Sequence, residues 1–317
     1  MRIAVALMLA VAALGAQAQG YPSRPVKIIV PFGAGGPADI FARFLGKEME
    51  GPLGQPIVVE DKPGGGSIIG SDAVAKSAPD GYTLLMMSNT HTVNETLIPK
   101  KPFVLLRDLA PVAPVNYSDL LLVVHPSVPA NNLKELIAYA KREPGKMNYA
   151  SSGPGTPYHM AGELLKSMAG IDVVHVPHKG SDGARLSILS GQVQMMFDAI
   201  TTMAPNVRAG KLKGFGTSGR ERSSALPEVP TVAEAGVPGY ESTIWLGIMA
   251  PAGTPKPVID RLNAEITKVT SRADVREAWS KRGATAMSMT PEQFGQYMRD
   301  DIAKWAKVIA SAGIKRD

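Results

Sequence analysis

The chain has 317 residues, no cysteine, a formal net charge of +6 and only 6% aromatic residues. Zero cysteine excludes disulfides, thiolate metal sites and cysteine nucleophiles together. The positive charge is spread without a block of like charges, whereas a nucleic-acid binder wants a basic stripe interleaved with aromatics, so no nucleic-acid partner is expected.

Residues 1–18 read as a secretory signal peptide: Arg2, an apolar core from Ile3 to Leu14, and an Ala16-Gln17-Ala18 cleavage site. Its apolar run spans 12 residues, short of the roughly 18 needed to cross a bilayer. The mature chain is expected to start at Gln19 as an exported protein. The β-branched run Val26–Val30 then feeds Pro31-Phe32-Gly33-Ala34-Gly35-Gly36-Pro37-Ala38-Asp39, and Ile40, Phe41, Phe44, Leu45 and Met49 follow at helical spacing. A strand entering a helix through glycines makes an anion site. The backbone can come close, the first helical N–H groups lack partners, and the dipole adds positive charge.

Two anions compete for this turn, a dinucleotide pyrophosphate and the carboxylate of a small acid. Gly33-x-Gly35-x-x-Ala38, with Glu60 after the strand-like Ile57–Val59, matches the looser Rossmann fingerprint. Three details oppose it. Pro31-Phe32 delays the first glycine, Pro37 removes an N–H, and Asp39 puts a negative charge in the first turn.

Further strands are expected at Thr83–Met87, Leu120–Val124, Met147–Ala150, Val173–Val176, Met195–Asp198 and Leu212–Thr217, with helices between most of them. Pro99 to Pro114 is proline-rich and reads as a crossover. From Thr254 the chain reads as helical. Thr254-Pro255 and Thr290-Pro291-Glu292-Gln293 each offer an N-cap and an N1 proline, and the second completes a capping box. The pattern is α/β, with mainly parallel sheets flanked by helices. Two lobes joined by a hinge are expected, residues 19–122 with 240–317 and residues 123–239, holding a ligand between them.

A second glycine turn, Asn148 to Thr156, leads into a helix bearing His159, Met160, Leu164 and Leu165. Ser152 and Thr156 either cap that helix or donate to a carboxylate. Asp198 either meets a ligand amine, hydroxyl or water, or caps a helix at Thr201 or Thr202. Ser88-Asn89-Thr90-His91 offers polar groups at a strand end. His178 and Lys179 read as a solvated pair, and Gly64-Gly65-Gly66-Ser67 as a plain loop after Asp61-Lys62-Pro63. Trp245 is expected to pack at the hinge, and Met86-Met87 and Met195-Met196 in the core. The five histidines lack metal-ligand spacing, and HExxH, Gly-x-Ser-x-Gly and Walker A patterns are absent. No catalytic residue, metal or cofactor is expected.

In order along the chain stand Val30-Pro31-Phe32-x-x-Gly35-Gly36-x-x-Asp39-x-x-Ala42-Arg43 and Tyr149-Ala150-Ser151-x-Gly153-x-Gly155-Thr156-x-x-His159 with Gly162-Glu163. Pro177-His178-Lys179-Gly180, Phe197-Asp198, Gly210-Lys211-Leu212 and Trp245-x-Gly247-x-x-Ala250-Pro251-x-Gly253-Thr254-Pro255 follow. The set resembles the Bug-type solute receptors of tripartite tricarboxylate transporters over nearly the whole mature chain. The resemblance implies a periplasmic two-lobed receptor, expected as a monomer, that closes over a small carboxylate and delivers it to membrane permease subunits. Its ligand-binding residues map to Phe32, Gly33, Ala34, Gly35, Gly36 and Asp39 in the first loop, and to Ser152, Gly155, Thr156 and His159 opposite. Ser88, Asn89 and Asp198 complete the candidate set. Ser181-Asp182-Gly183-Ala184 stands where the family commonly has a Pro-Ala pair, and Gly33-Ala34 where proline is frequent, so ligand identity does not transfer. The competing reading is an exported enzyme using the same cleft, such as an NAD(P)-dependent dehydrogenase.

Overall fold

The structure, a computed structural model, describes residues 20–314, so the signal-peptide segment lies outside the described residues. In chain order the elements are β1 (Val26–Val30), α1 (Pro37–Leu53), β2 (Ile57–Asp61), α2 (Ile68–Ala75), β3 (Thr83–Ser88), α3 (Thr90–Leu97) and α4 (Leu105–Asp108). β4 (Leu109–Val124), α5 (Leu133–Arg142), β5 (Asn148–Ser151), α6 (Pro157–Ala169), β6 (Val174–Pro177), α7 (Ser181–Leu189), β7 (Met195–Ala199), α8 (Ile200–Arg208) and β8 (Lys213–Thr217) come next. The chain closes with β9 (Thr243–Pro251), α9 (Lys256–Ser271), α10 (Ala273–Ser280), β10 (Ala284–Ala286) and α11 (Pro291–Ala312). Among the described residues, no helix is long and apolar enough to cross a membrane.

The strands run β2-β1-β3-β9-β4-β7-β5-β6, with β8 and β10 also pairing to β4. Pairs β1–β2, β1–β3, β5–β6 and β5–β7 are parallel, and β9 and β4 join them antiparallel. β4 belongs to both halves: residues 109–119 pair with β9, and residues 120–124 pair with β7 and β8. At this crossing Leu120 N–H donates to Ser218 Oγ at 2.7 Å, and Ser242 N–H to Ser218 O at 3.0 Å. The result is a two-lobed α/β fold of the periplasmic-binding-protein type, with the hinge at the crossing.

The strand sequences explain the layers. In β1, Val26, Ile28 and Val30 enter one core with α1, α9 and α10, while Ile29 enters a second core with Phe294 and Met298 of α11. β3 divides the same way, Leu84 and Met86 against Leu85 and Met87. Both faces of these strands are covered, so their sequences read as continuous apolar runs rather than alternating ones. The other half has its own core, drawn from residues between Leu120 and Ile244 and including Met195 and Met196.

The proline-rich crossover expected at Pro99–Pro114 is corrected: its end is the first part of β4. Register shifts fall at Pro111/Ala113 and Pro114/Asn116, so the prolines sit at irregularities where the ladder tolerates a missing N–H. β9, buried from Ile244 onward, is a strand that the sequence reading left unassigned. The C-terminal helical run is interrupted by β10, which pairs with β4. Thr254-Pro255 is also corrected. Its helix begins at Lys256 with Pro255 as N-cap, and Thr254 Oγ1 donates to Pro251 O. Thr290 and Gln293 do form the capping box of α11. Trp245 is 1% exposed on β9 and packs edge-on against Phe294 and Tyr297.

Candidate ligand cleft

The carboxyl ends of β1, β2, β3, β5 and β6 open on one cleft of about 520 Å³ between the halves, floored by Ile244 and Leu246 of β9. This is where open α/β sheets place ligands. The starts of several helices converge there. Gly36-Pro37-Ala38 begin α1, Thr156-Pro157-Tyr158 begin α6, Gly180-Ser181 begin α7, Ser67 precedes α2 and Thr90 opens α3. Each helix start carries unpaired N–H groups and a partial positive charge. None of the described residues lining the cleft is acidic, and Lys179 adds a cation at its edge. Phe32, Pro37, Ala38, Ile244 and Leu246 give it an apolar lining.

The first loop is held from its own helix. Gly35 has φ +73°, a left-handed conformation that glycine adopts without steric cost. Its N–H donates to Asp39 Oδ2 at 2.9 Å, and Asp39 Oδ1 pairs with Arg43 Nε at 2.5 Å. Arg43 Nη2 continues to Asp61 at 2.9 Å. The second loop repeats the plan. Gly155 has φ +75°, and its N–H donates to His159 Nδ1 at 3.1 Å. Thr156 is the N-cap, accepting from His159 N–H and donating to Gly153 O at 2.7 Å. The His159 ring stacks on His175 with centroids 4.2 Å apart.

Of the candidate residues, Phe32, Gly33, Gly36, Ser88, Ser152 and Thr156 line the cleft. Ala34, Gly35, Asp39, Asn89, Gly155, His159 and Asp198 do not. Asp39, Gly155 and His159 shape the loops from behind. Asn89 Nδ2 donates to Thr243 O at 2.9 Å and so ties α3 to the crossing. Asp198 is fully buried; its carboxylate accepts from Arg185 Nε at 2.6 Å and from Ala199 N–H at 2.7 Å.

His178 and Lys179, read as a solvated pair, line the cleft because β6 ends at Pro177 directly beneath it. Gly64 to Ser67, read as a plain loop, line it too, since β2 lies beside β1 and its following turn reaches the same opening. Tyr158 was missed although it occupies in α6 the place of Ala38 in α1. Burial and the Asp198 carboxylate push its phenol well above the ordinary range, so it stays protonated and hydrogen-bonds Asp198. Beneath the first loop, His91 sits edge-on to Phe32, with Nε2 2.8 Å from Ser71 Oγ and Nδ1 2.9 Å from Ser88 O. Burial pulls its pKa down to about 4, so the ring is neutral near pH 7.

A two-lobed fold with helix starts from both sides aimed into one non-acidic cleft defines the class: a solute-binding protein. Residues 41–314 match the profile of the tripartite tricarboxylate transporter family receptors, and the chain belongs to that family. It is 36% identical to Protein BugT of Bordetella pertussis over 315 residues, covering 98% of this chain and 97% of BugT. Among solved structures it is similar to Rpa4515 of R. palustris with adipate, at 30% identity and TM-score 0.91, covering 94% of this chain and all of that one. It is also similar to MatC of Rhodopseudomonas palustris with bound malate, at 33% identity and TM-score 0.86, covering 91% of this chain and 100% of that one.

Proposed function

We propose that the mature chain is a monomeric periplasmic receptor, exported by residues 1–18. Its lobes, residues 19–122 with 240–317 and residues 123–239, close over a small organic carboxylate. The receptor then delivers that acid to the permease subunits of a tripartite tricarboxylate transporter. One observation carries the reading: the α1 and α6 starts, one from each half, meet in a cleft lined by no acidic side chain among the described residues. An anion between them neutralises both helix ends at once, so it binds the closed arrangement better than the open one. That difference in affinity sets how far the ligand can shift the equilibrium toward closure. The adipate and malate held by two family structures have the same chemistry.

The ligand contacts are assigned to Phe32, Gly33, Gly36, Ser88, Ser152 and Thr156, with Ala34, Gly35, Asp39, Asn89, Gly155, His159 and Asp198 acting from behind. A dinucleotide fits less well. Asp39 already holds the Gly35 N–H that a pyrophosphate would use, and Glu60 pairs with Lys27 at 2.7 Å rather than standing ready for a ribose. The test is thermal unfolding against a panel of mono-, di- and tricarboxylates and NAD(P). A ligand at about a hundred times its Kd adds roughly 2.7 kcal/mol. A raised Tm with an acid supports the receptor; a rise with NAD(P) alone overturns it.

A further inference from the structure

The first loop is gripped from two directions. Its own helix holds the Gly35 N–H through Asp39, and the opposite half holds the Gly35 carbonyl: Arg185 of α7 donates from Nη1 to Gly35 O at 3.2 Å. Arg185 itself is fixed. Its Nε and Nη2 fork onto the two oxygens of Asp198 at 2.6 and 3.4 Å, and Nη2 also reaches Thr202 Oγ1 at 3.4 Å. The Arg185 side chain is 15% exposed and Asp198 0%. A guanidinium held bidentately by a buried carboxylate is a rigid donor rather than a searching one.

Contact around this bond is close. A Cβ added at Gly35 would lie 3.5 Å from Asp182 Oδ1, and one at Gly36 would lie 3.7 Å from Ser181 Oγ. The start of α7 therefore rests on the first loop and shuts that side of the cleft. The peptide plane supplies the consequence. The carbonyl of Gly35 and the N–H of Gly36 point in opposite directions across one planar unit. Drawing that carbonyl toward Arg185 turns the Gly36 N–H the other way, and Gly36 is a cleft-lining residue.

We propose that Arg185 is a positioning residue that latches the closed arrangement and, through Gly35, sets the first loop's peptide for the anion. Arg185 does not line the cleft; it acts through the loop. Asp198 is its anchor, and Tyr158 links the same anchor to the second loop. Opening the cleft breaks the Arg185–Gly35 bond and leaves the Arg185–Asp198 pair intact, because both partners of that pair ride on the same half. The latch thus adds to ligand affinity only in the closed state, which makes it a brake on dissociation. The ligand part of this inference rests on the receptor reading above.

The test separates the two claims. The chain has no cysteine, so Lys47→Cys on α1 and Lys141→Cys on α5 give one spin label on each half. Distances are measured with and without adipate and malate in three backgrounds: the parent, Arg185→Lys, and the double variant Arg185→Met with Asp198→Asn. Lysine keeps a cation beside Asp198 but cannot fork, and the double variant leaves no buried charge unpaired, so both are expected to fold with Tm near the parent's. Without ligand, both should shift toward longer distances. With a bound acid, the dissociation rate should rise about ten- to hundredfold, the range of one charge-assisted hydrogen bond, while the association rate stays within about twofold. Unchanged distances and dissociation rates in folded variants would overturn the latch. A parent that binds neither acid, with the ligand-free distance shift intact, supports the latch and counts against the receptor reading for these acids.

Discussion

The two glycine loops are the same device built with different chemistry. In each, a left-handed glycine precedes an N-cap and an N1 proline, and the third helical residue reaches back to accept the glycine N–H. In the first loop that acceptor is the Asp39 carboxylate, tied onward to Arg43 and Asp61. In the second it is the neutral Nδ1 of His159, supported by stacking on His175. The lesson is that the geometry at the helix start is what recurs, and either a charged or a neutral acceptor can hold it. The surroundings differ as well. A Cβ at Gly35 would meet the Asp182 carboxylate no closer than 3.5 Å, whereas one at Gly155 would lie 2.6 Å from Asn94 Oδ1.

That difference orders the expected effects. Gly155→Ala adds left-handed strain to a clash and should cost about 3 to 4 kcal/mol of stability, read as a lowered urea midpoint. Gly35→Ala should cost only about 1 kcal/mol, from strain alone. Equal losses would erase the contrast between the loops. Acid should reach the first loop through His91. Its folded pKa of about 4 lies below the unfolded 6.5, so its contribution is present above pH 6.5 and is lost as pH falls toward 4, about 3 kcal/mol in all. Asp119, raised to about 6 by burial and by Glu241, works oppositely: its contribution is full below pH 3.8 and fades as pH rises through 6. Between pH 6 and 4, Asp119→Asn should therefore lose more stability with acid than the parent does. Denaturant titrations at several pH values decide this. Asp39→Ala should lower ligand affinity by about 2 kcal/mol and His159→Ala by about 1, as charged and neutral acceptors differ; calorimetry measures both. The smallest effect is expected at Lys179→Gln. It should bring about a threefold weakening that vanishes in high salt, because the side chain is exposed.

Both loops were legible in the sequence because their work is done by backbone, and glycine, proline and cap residues announce backbone geometry. The buried strands β1, β3 and β7 were legible for a similar reason: a covered strand leaves a short apolar run. What stayed hidden depends on contacts remote in sequence. Arg185 lies mid-helix among Ala184 and Leu186, and only the approach of the two halves sets it on Gly35. Asp198 looked like a strand-end carboxylate facing the cleft, and its guanidinium partner is thirteen residues away on α7. β4 was obscured by its own prolines, whose cost is absorbed by register shifts that local propensity cannot foresee. Gly64 to Ser67 carry the residues of an ordinary turn, and only the neighbourhood of β1 and β2 makes them part of the cleft.

The position of β9 has a bearing on how the chain matures. The core of the second half is drawn from one continuous stretch, between Leu120 and Ile244. That stretch can collapse as soon as it has been made. The first half cannot. Its β3 and β4 meet only through β9, and its cores also require Trp279 and Phe294. Closing contacts across so long a loop is slow, so the N-terminal residues wait for the C-terminal ones. In this order of synthesis the leading segment meets its β9, Trp279 and Phe294 partners only once the last third of the chain has been made.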